Sequence, residues 1–422
     1  MAPRPALAAV AARPLAPVAL VFLCDFAAKV VWGVAGLLLI RYLPANEYAS
    51  LTLALAVSSL MIEGVGDNLN RLFIVGYTRL GLAGATLPFL TLQLGLLAAL
   101  VAVLCGFWNG STLLVALIAA SAFAGHLLAF AKAALQRELK FRAFSLLELA
   151  RTLLFASALV ALIALERANV KAWEVLLLQA SCVALVAVVA LATTLDHSRL
   201  GRPREAWAIG RKIATGGYAL MVGYVLAMAV LTRVDVLMLK WLDSSLQLAT
   251  YGAAYRYHAL LALLLAAVHS VLLPLTQRAT RADELAAVFA KYRHAVYAVV
   301  PFVLLAAWAS EWFIPLVDAG KYTGAVTVFR MLCVSTVIGL ACSPYVNLLY
   351  RYEDFAVLLV LGCAAFALSI GMNLVLIPRF HAAGAAIALC TATGTLNLLI
   401  YARARMLLAW HPLPANTSAV AR

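Results

Sequence analysis

Charge is what this sequence has least of. Only 12% of its 422 residues are Asp, Glu, Lys or Arg, and 65% are hydrophobic, where a soluble protein carries about a quarter charged and half apolar. Mean hydropathy is +0.99. An ordinary soluble enzyme and a disordered scaffold are both excluded by that combination. Acidic residues are scarcer still, 18 against 32 Lys and Arg, for a formal charge of +14. Long polar segments are missing too. The longest runs from Asp196 to Glu205 and on to Arg211-Lys212, too short to fold by itself. The chemistry must therefore lie within or between helices.

The other absences narrow the class further. All seven cysteines (Cys24, Cys105, Cys182, Cys333, Cys342, Cys363, Cys390) sit in apolar runs, with no CxxC pair and no His at ligand spacing. They read as packing residues rather than disulfide or metal ligands. No Ser/His/Asp or Cys/His constellation suggests a nucleophile, so the chain reads as a non-enzyme that calls for no cofactor and no metal. His126, His258 and His269 are scattered without metal spacing and suit packing or interhelical hydrogen bonds better than a proton relay. A cleavable leader is not evident, because the first apolar run is too long for one and is followed at once by others.

What is present is a series of apolar runs near the 20 residues that cross a bilayer. Twelve candidate spans lie near 15–40, 48–68, 82–107, 111–133, 144–165, 173–195, 213–234, 250–275, 292–314, 325–350, 355–376 and 383–402. The expected fold class is an all-α polytopic membrane protein. With both termini on one side, that side collects 21 Lys and Arg and the other 8, leaving Lys29, Arg151 and Arg256 within spans. The bias places both termini in the cytoplasm, and it removes nucleic acid as the explanation of the positive charge. Pro17, Pro88, Pro274, Pro301, Pro344 and Pro378 are expected to kink or end helices.

The chain also echoes itself. Leu135-Gln-Arg137-Glu-Leu-Lys-Phe141 follows the fourth span, and Leu349-Tyr-Arg351-Tyr-Glu-Asp-Phe355 follows the tenth. Arg41-Tyr42-Leu43 with Tyr48, and Lys240-Trp241-Leu242 with Tyr251, make a second echo in matching order. Two six-helix halves are expected, 1–205 and 206–422, with substrate between them near mid-membrane.

Four stretches carry a resemblance to a known family. Arg41-Tyr-Leu-Pro-Ala-Asn-Glu-Tyr48 resembles an R-x-L-G-P-x-E-Y junction, and Ala134–Phe141 an A-x-x-R-x-x-x-F turn. Val234-Asp235 with Tyr251-Gly-Ala-Ala-Tyr255-Arg256 resembles D-x-x-x-L … Y-x-x-A-Y-R. Asn373-Leu-Val-Leu-Ile-Pro378-Arg-Phe380 with Gly384-Ala-Ala386 resembles N-x-x-L-I-P-x-[YF]-G-x-x-G-A-A. In this order they resemble the polysaccharide-transport branch of the MOP superfamily, the Wzx-type lipid-linked oligosaccharide flippases. His381 and Asp243 depart from the pattern, each standing where the family usually or often has Gly. The resemblance implies a MATE-like two-bundle architecture in a bacterial inner membrane, and alternating access. An undecaprenyl-pyrophosphate-linked repeat unit of O-antigen, capsule or exopolysaccharide would be moved outward, with a proton or sodium as coupling ion and polymerase or assembly proteins as partners. Two other readings stay open: a cation-coupled drug antiporter of the MATE branch, and a membrane polysaccharide polymerase or ligase.

Charge inside a span costs about 2.5–3.5 kcal/mol on insertion scales, so it faces the bundle interior. Lys29, Arg151 and Arg256 are the candidate substrate-binding cations, a lining for an anionic lipid head. Asp25 lies one turn before Lys29, and Glu148 lies three residues before Arg151, so each can neutralise its neighbour or tune it. Arg256 has no acid at helical spacing, and Asp235 is its expected protein partner. Glu63, Asp67 and Arg71, at successive fours, share a face that is either a self-paired helix end or a cytoplasmic gate. Asp25, Asp235, Glu63, Asp67 and Glu148 are thus the candidates for ion coupling or gating.

Overall fold

The computed structural model describes residues 15–67, 69–70, 73, 86–107, 111–137, 140–166, 170–194, 205–215, 218–278, 282–352 and 354–410. Among them every regular element is helical. This follows from the solvent: in hydrocarbon each backbone N–H and C=O must be satisfied within its own segment. The first half supplies α1 (Leu15–Tyr42), α2 (Ala45–Met61), α3 (Thr86–Phe107), α4 (Thr112–Arg137), α5 (Phe141–Glu166) and α6 (Ala172–Thr194). Then come α7 (Ala206–Thr215), α8 (Tyr218–Leu231), α9 (Val234–Leu242), α10 (Ser245–Arg278), α11 (Ala282–Asp318), α12 (Ala325–Arg351) and α13 (Phe355–Trp410). Eight described helices are long and apolar enough to cross a membrane, or nine if α7 and α8 form one broken span. The chain is a polytopic helical membrane protein.

The expected spans coincide with these helices, and three local differences are informative. First, α2 passes into a π-helical turn over Ile62–Asp67. Gly64 and Gly66 make the wider turn accessible, and Gly66 packs so closely on the His126 ring that a Cβ would sit 2.7 Å from Nδ1. Glu63 and Asp67 both fall within this turn, and Arg71 lies outside the described residues. Second, α8 ends at Leu231 and the chain turns at Thr232-Arg233 before α9, which runs to Leu242. Arg233 stands at the start of α9. Third, the last two spans form one helical element, interrupted at His381 with φ 55° and ψ −135°.

Proline positions fit their helices. Pro17 and Pro88 stand in first turns, where the missing N–H has no partner to lose. Pro301, Pro344 and Pro378 are interior.

Contacts divide the chain into two compact units. The first comprises Met1–Leu38 and Val57–Lys212. In it α4 packs along α6 and α5, and the π-turn packs on α3 and α4. The second comprises Leu39–Ala56 and Ile213–Arg422. In it α13 packs against α8, α9 and α12, while α12 packs against α10 and α11. Its core joins Leu231, Leu348, Leu358, Ala392, Leu396, Ile400 and Ala404. Small residues on α13 let helices approach, as is usual where lipid removes the hydrophobic drive between helices. At the end of α1, the Lys321 ammonium donates to the carbonyls of Arg41 and Leu43. A cation there complements the negative end of the helix dipole. Burial, and secondarily Arg41, lowers the Lys321 pKa against the opposing pull of Asp318.

Candidate functional site

The second unit brings two of the family-like stretches together on one carboxylate. Asp235 in α9 is fully buried. The Tyr251 hydroxyl of α10 donates to its Oδ2 at 2.6 Å, and the Asn373 amide of α13 donates to Oδ1 at 3.3 Å. Asn373 also donates to Ser369 at 3.2 Å. Tyr251, Ser369 and Asn373 are themselves buried. A buried carboxylate is tolerable only when hydrogen-bonded, and here two neutral donors do it. Arg233, at the break before α9, lies within electrostatic reach of Asp235. Its guanidinium covers the Tyr255 ring at 5.6 Å and donates to the Tyr255 hydroxyl at 3.4 Å.

Arg256 is not the partner of Asp235. Its guanidinium lies over the Tyr48 ring, 5.9 Å from the centroid, and among the described residues no carboxylate is within ion-pair distance of it. The physical reason is helical geometry: Tyr251 and Arg256 are five residues apart on α10, so they present different faces. Tyr48 is buried beside Tyr322, ring centroids 5.9 Å apart. The stretches around Tyr48 and Arg256 thus meet in the second unit.

In the first unit, Glu148 accepts from two cations. Lys132 Nζ of α4 is 2.9 Å from Oε2, and Arg151 binds Oε1. Lys132 also covers the Phe144 ring at 4.8 Å, and Arg151 the Trp32 ring of α1 at 5.2 Å. Lys29 in α1 and Glu63 in the π-turn are half-buried. Asp25 and Asp67 have helical backbone in α1 and the π-turn; their side chains lie outside the described residues. The expected site residues therefore fall into two sets. Asp25, Lys29, Glu63, Asp67, Glu148 and Arg151 belong to the first unit, and Asp235 and Arg256 to the second.

Sequence reasoning passed over Lys132, Arg233, Tyr251 as a hydrogen-bond donor, and Asn373. Lys132 and Arg233 stand at the ends of the expected spans 111–133 and 213–234, where they were counted with the charge of the flanking faces rather than as site residues. Tyr251 and Asn373 were in the quoted stretches, but nothing local says which carboxylate they meet.

Beyond the family pattern, His381 Nδ1 lies 3.0 Å from Asp243 Oδ2. These two residues, far apart in sequence, contact each other.

The comparisons with known proteins bear on the fold. No family model matches the sequence, and no curated protein matches it significantly. Among solved structures the chain is similar to the lipid II flippase MurJ in its inward closed conformation. The TM-score is 0.74 and the identity 11%, covering 91% of this chain and 87% of that one. An inward-facing multidrug resistance transporter of the MATE family and MOP superfamily gives 0.63 at 14% identity, over 90% and 95% of the two chains. The Vibrio cholerae MATE transporter VcmN in its bent form gives 0.57 at 14%, over 95% and 99%. The fold is that of the MOP transporters. At such identities it is the fold that is shared, over nearly the whole chain.

Proposed function

We propose that this protein is a MOP-type transporter that moves a lipid-linked anionic oligosaccharide, an undecaprenyl-pyrophosphate-linked repeat unit, out across a bacterial inner membrane. It changes sides by alternating access of two six-helix halves, with both termini cytoplasmic, and makes or breaks no covalent bond. Arg256 carries the reading. A guanidinium inside a span costs several kcal/mol, and an aromatic face returns only about 0.5–2 kcal/mol. Such a charge is retained for a ligand, and guanidinium is the side chain best matched to phosphate oxygens. Lys29 and Arg151 add cations from the first unit. A shared fold with a protein named as a lipid II flippase agrees with a lipid-linked substrate. Drug antiport of cations would favour acidic lining over these basic residues.

The test is Arg256→Ala. Surface polysaccharide falls at least tenfold while the amount of inserted protein is unchanged. Normal polymer output from an equally abundant variant sinks the assignment. Elongation or transfer of sugars by the purified protein in detergent would instead support the polymerase or ligase reading.

A further inference from the structure

The first unit carries a partly open pocket of about 390 Å³ around Lys132, Glu148 and Arg151. Asn70, Ser121, Lys132, Glu148, Arg151 and Gln179 supply most of its polar lining. Its size falls within the range of small-ligand sites. Two of its polar groups are buried and unsatisfied. Asn70 and Ser121 are each 5% exposed, and among the described residues neither Asn70 Nδ2 nor Ser121 Oγ has a hydrogen-bond partner.

A buried chain of bonds decides what Asn70 can offer. His126 Nδ1 has no partner among the described residues and packs against Gly66. An orphaned buried N–H is rarer than an under-used acceptor, so the imidazole proton sits on Nε2. That nitrogen donates to Gln93 Oε1 at 2.7 Å. Gln93 Nε2 then donates to Asn70 Oδ1 at 2.9 Å. Asn70 is left with its amide N–H groups free, a donor in want of an acceptor.

The opposite wall is also rich in donors. Lys132 and Arg151 share the single carboxylate of Glu148, leaving one net positive charge. Lysine has three N–H donors and arginine five, so most remain uncommitted to Glu148. Cations, a free amide N–H and a free hydroxyl around one cavity specify an oxyanion.

We infer that this cavity is an anion-binding site for a phosphate or diphosphate group, and that Glu148 is a resident competitor holding Lys132 and Arg151 until the ligand takes them. The inference rests on the flippase reading only for its cargo, since a diphosphate head is the anion that such a substrate presents. Exchange of one anion for another keeps the two cations paired throughout.

The experiment measures thermal unfolding of the full-length protein in detergent with inorganic pyrophosphate, a prenyl diphosphate, or the parent prenyl alcohol. Pyrophosphate and prenyl diphosphate stabilise the wild type, and the alcohol does not. Equal stabilisation by both diphosphates assigns the site to the head group alone, and a response confined to the prenyl form assigns it to the lipid. Either supports the site. Lys132→Gln and Arg151→Gln weaken apparent affinity about tenfold or more, the usual scale for a charged hydrogen bond. Glu148→Gln removes the competitor and tightens binding, where a purely structural triad would not.

Asn70→Asp keeps the bond from Gln93 and turns the free donor into an acceptor, so it weakens diphosphate binding without needing Glu148 to be altered. No stabilisation of the wild type, or affinities unchanged in Lys132→Gln, Arg151→Gln and Asn70→Asp, overturns the inference. That failure leaves the flippase reading standing if Arg256→Ala still abolishes polymer output. Intact diphosphate binding with normal output from Arg256→Ala would do the reverse.

Discussion

His381 sits at φ 55° and ψ −135°, where an L side chain crowds its own backbone by about 1–2 kcal/mol. Glycine adopts this conformation freely. Here the side chain reaches Asp243. The pair is exposed on the histidine side, so its own contribution is small, about 0–1 kcal/mol. It offsets part of the backbone cost. His381→Gly is therefore expected to melt within a few degrees of the wild type in detergent. His381→Val, branched at Cβ and unable to reach Asp243, should lose about 1–3 kcal/mol. Equal melting of the Val and His proteins would refute the strain argument. The sequence showed that this position departs from pattern, but not that it contacts Asp243.

At the scale of elements, the bend in α13 depends on one close approach. A Cβ on Gly384 would lie 2.3 Å from the Leu376 carbonyl oxygen. Backbone cannot yield as a flexible side chain can. Gly384→Ala should therefore open the bend and cost about 1–3 kcal/mol or more, the range for overpacking. Gly371, in the same element before the bend, has open space around its Cβ position. Gly371→Ala is the control and should be neutral or slightly stabilising, since alanine favours helix over glycine by about 1 kcal/mol. Thermal melting of both variants decides it; similar losses in both would show that the close approach is not what matters. Helix existence was legible in the sequence because hydropathy acts over each run of about 20 residues. The π-turn at Ile62–Asp67 and the break at Thr232-Arg233 were not, because both answer to neighbours. One accommodates the His126 ring; the other puts Arg233 over Tyr255.

For the molecule as a whole, we propose Asp235 as the residue through which an ion gradient acts. Its two neutral donors stabilise the carboxylate without neutralising it, leaving a site where a proton or sodium ion could be exchanged. Asp235→Asn retains an acceptor for Tyr251, and the Asn373 amide can turn its unpartnered oxygen toward the new side chain. The variant is thus expected to fold and insert normally. Its transport in vesicles should lose at least tenfold of the acceleration that an imposed proton or sodium gradient produces. Transport by the wild type that ignores both gradients would exclude Asp235 from coupling.

Composition and hydropathy by themselves determined that this is a helical membrane protein with a series of apolar spans. Those properties are local: an apolar run is excluded from water whatever surrounds it, and a cation excess is counted loop by loop. Only the tertiary structure decided that Asp235 belongs to Tyr251 and Asn373, and Arg256 to Tyr48. It also decided that Lys132 and Arg151 share Glu148 beside a cavity with an idle amide. Asp235 and Asn373 are 138 positions apart, and helix periodicity holds no information across such a distance. Which helix faces meet is settled by packing and by the need of each buried polar group for a partner.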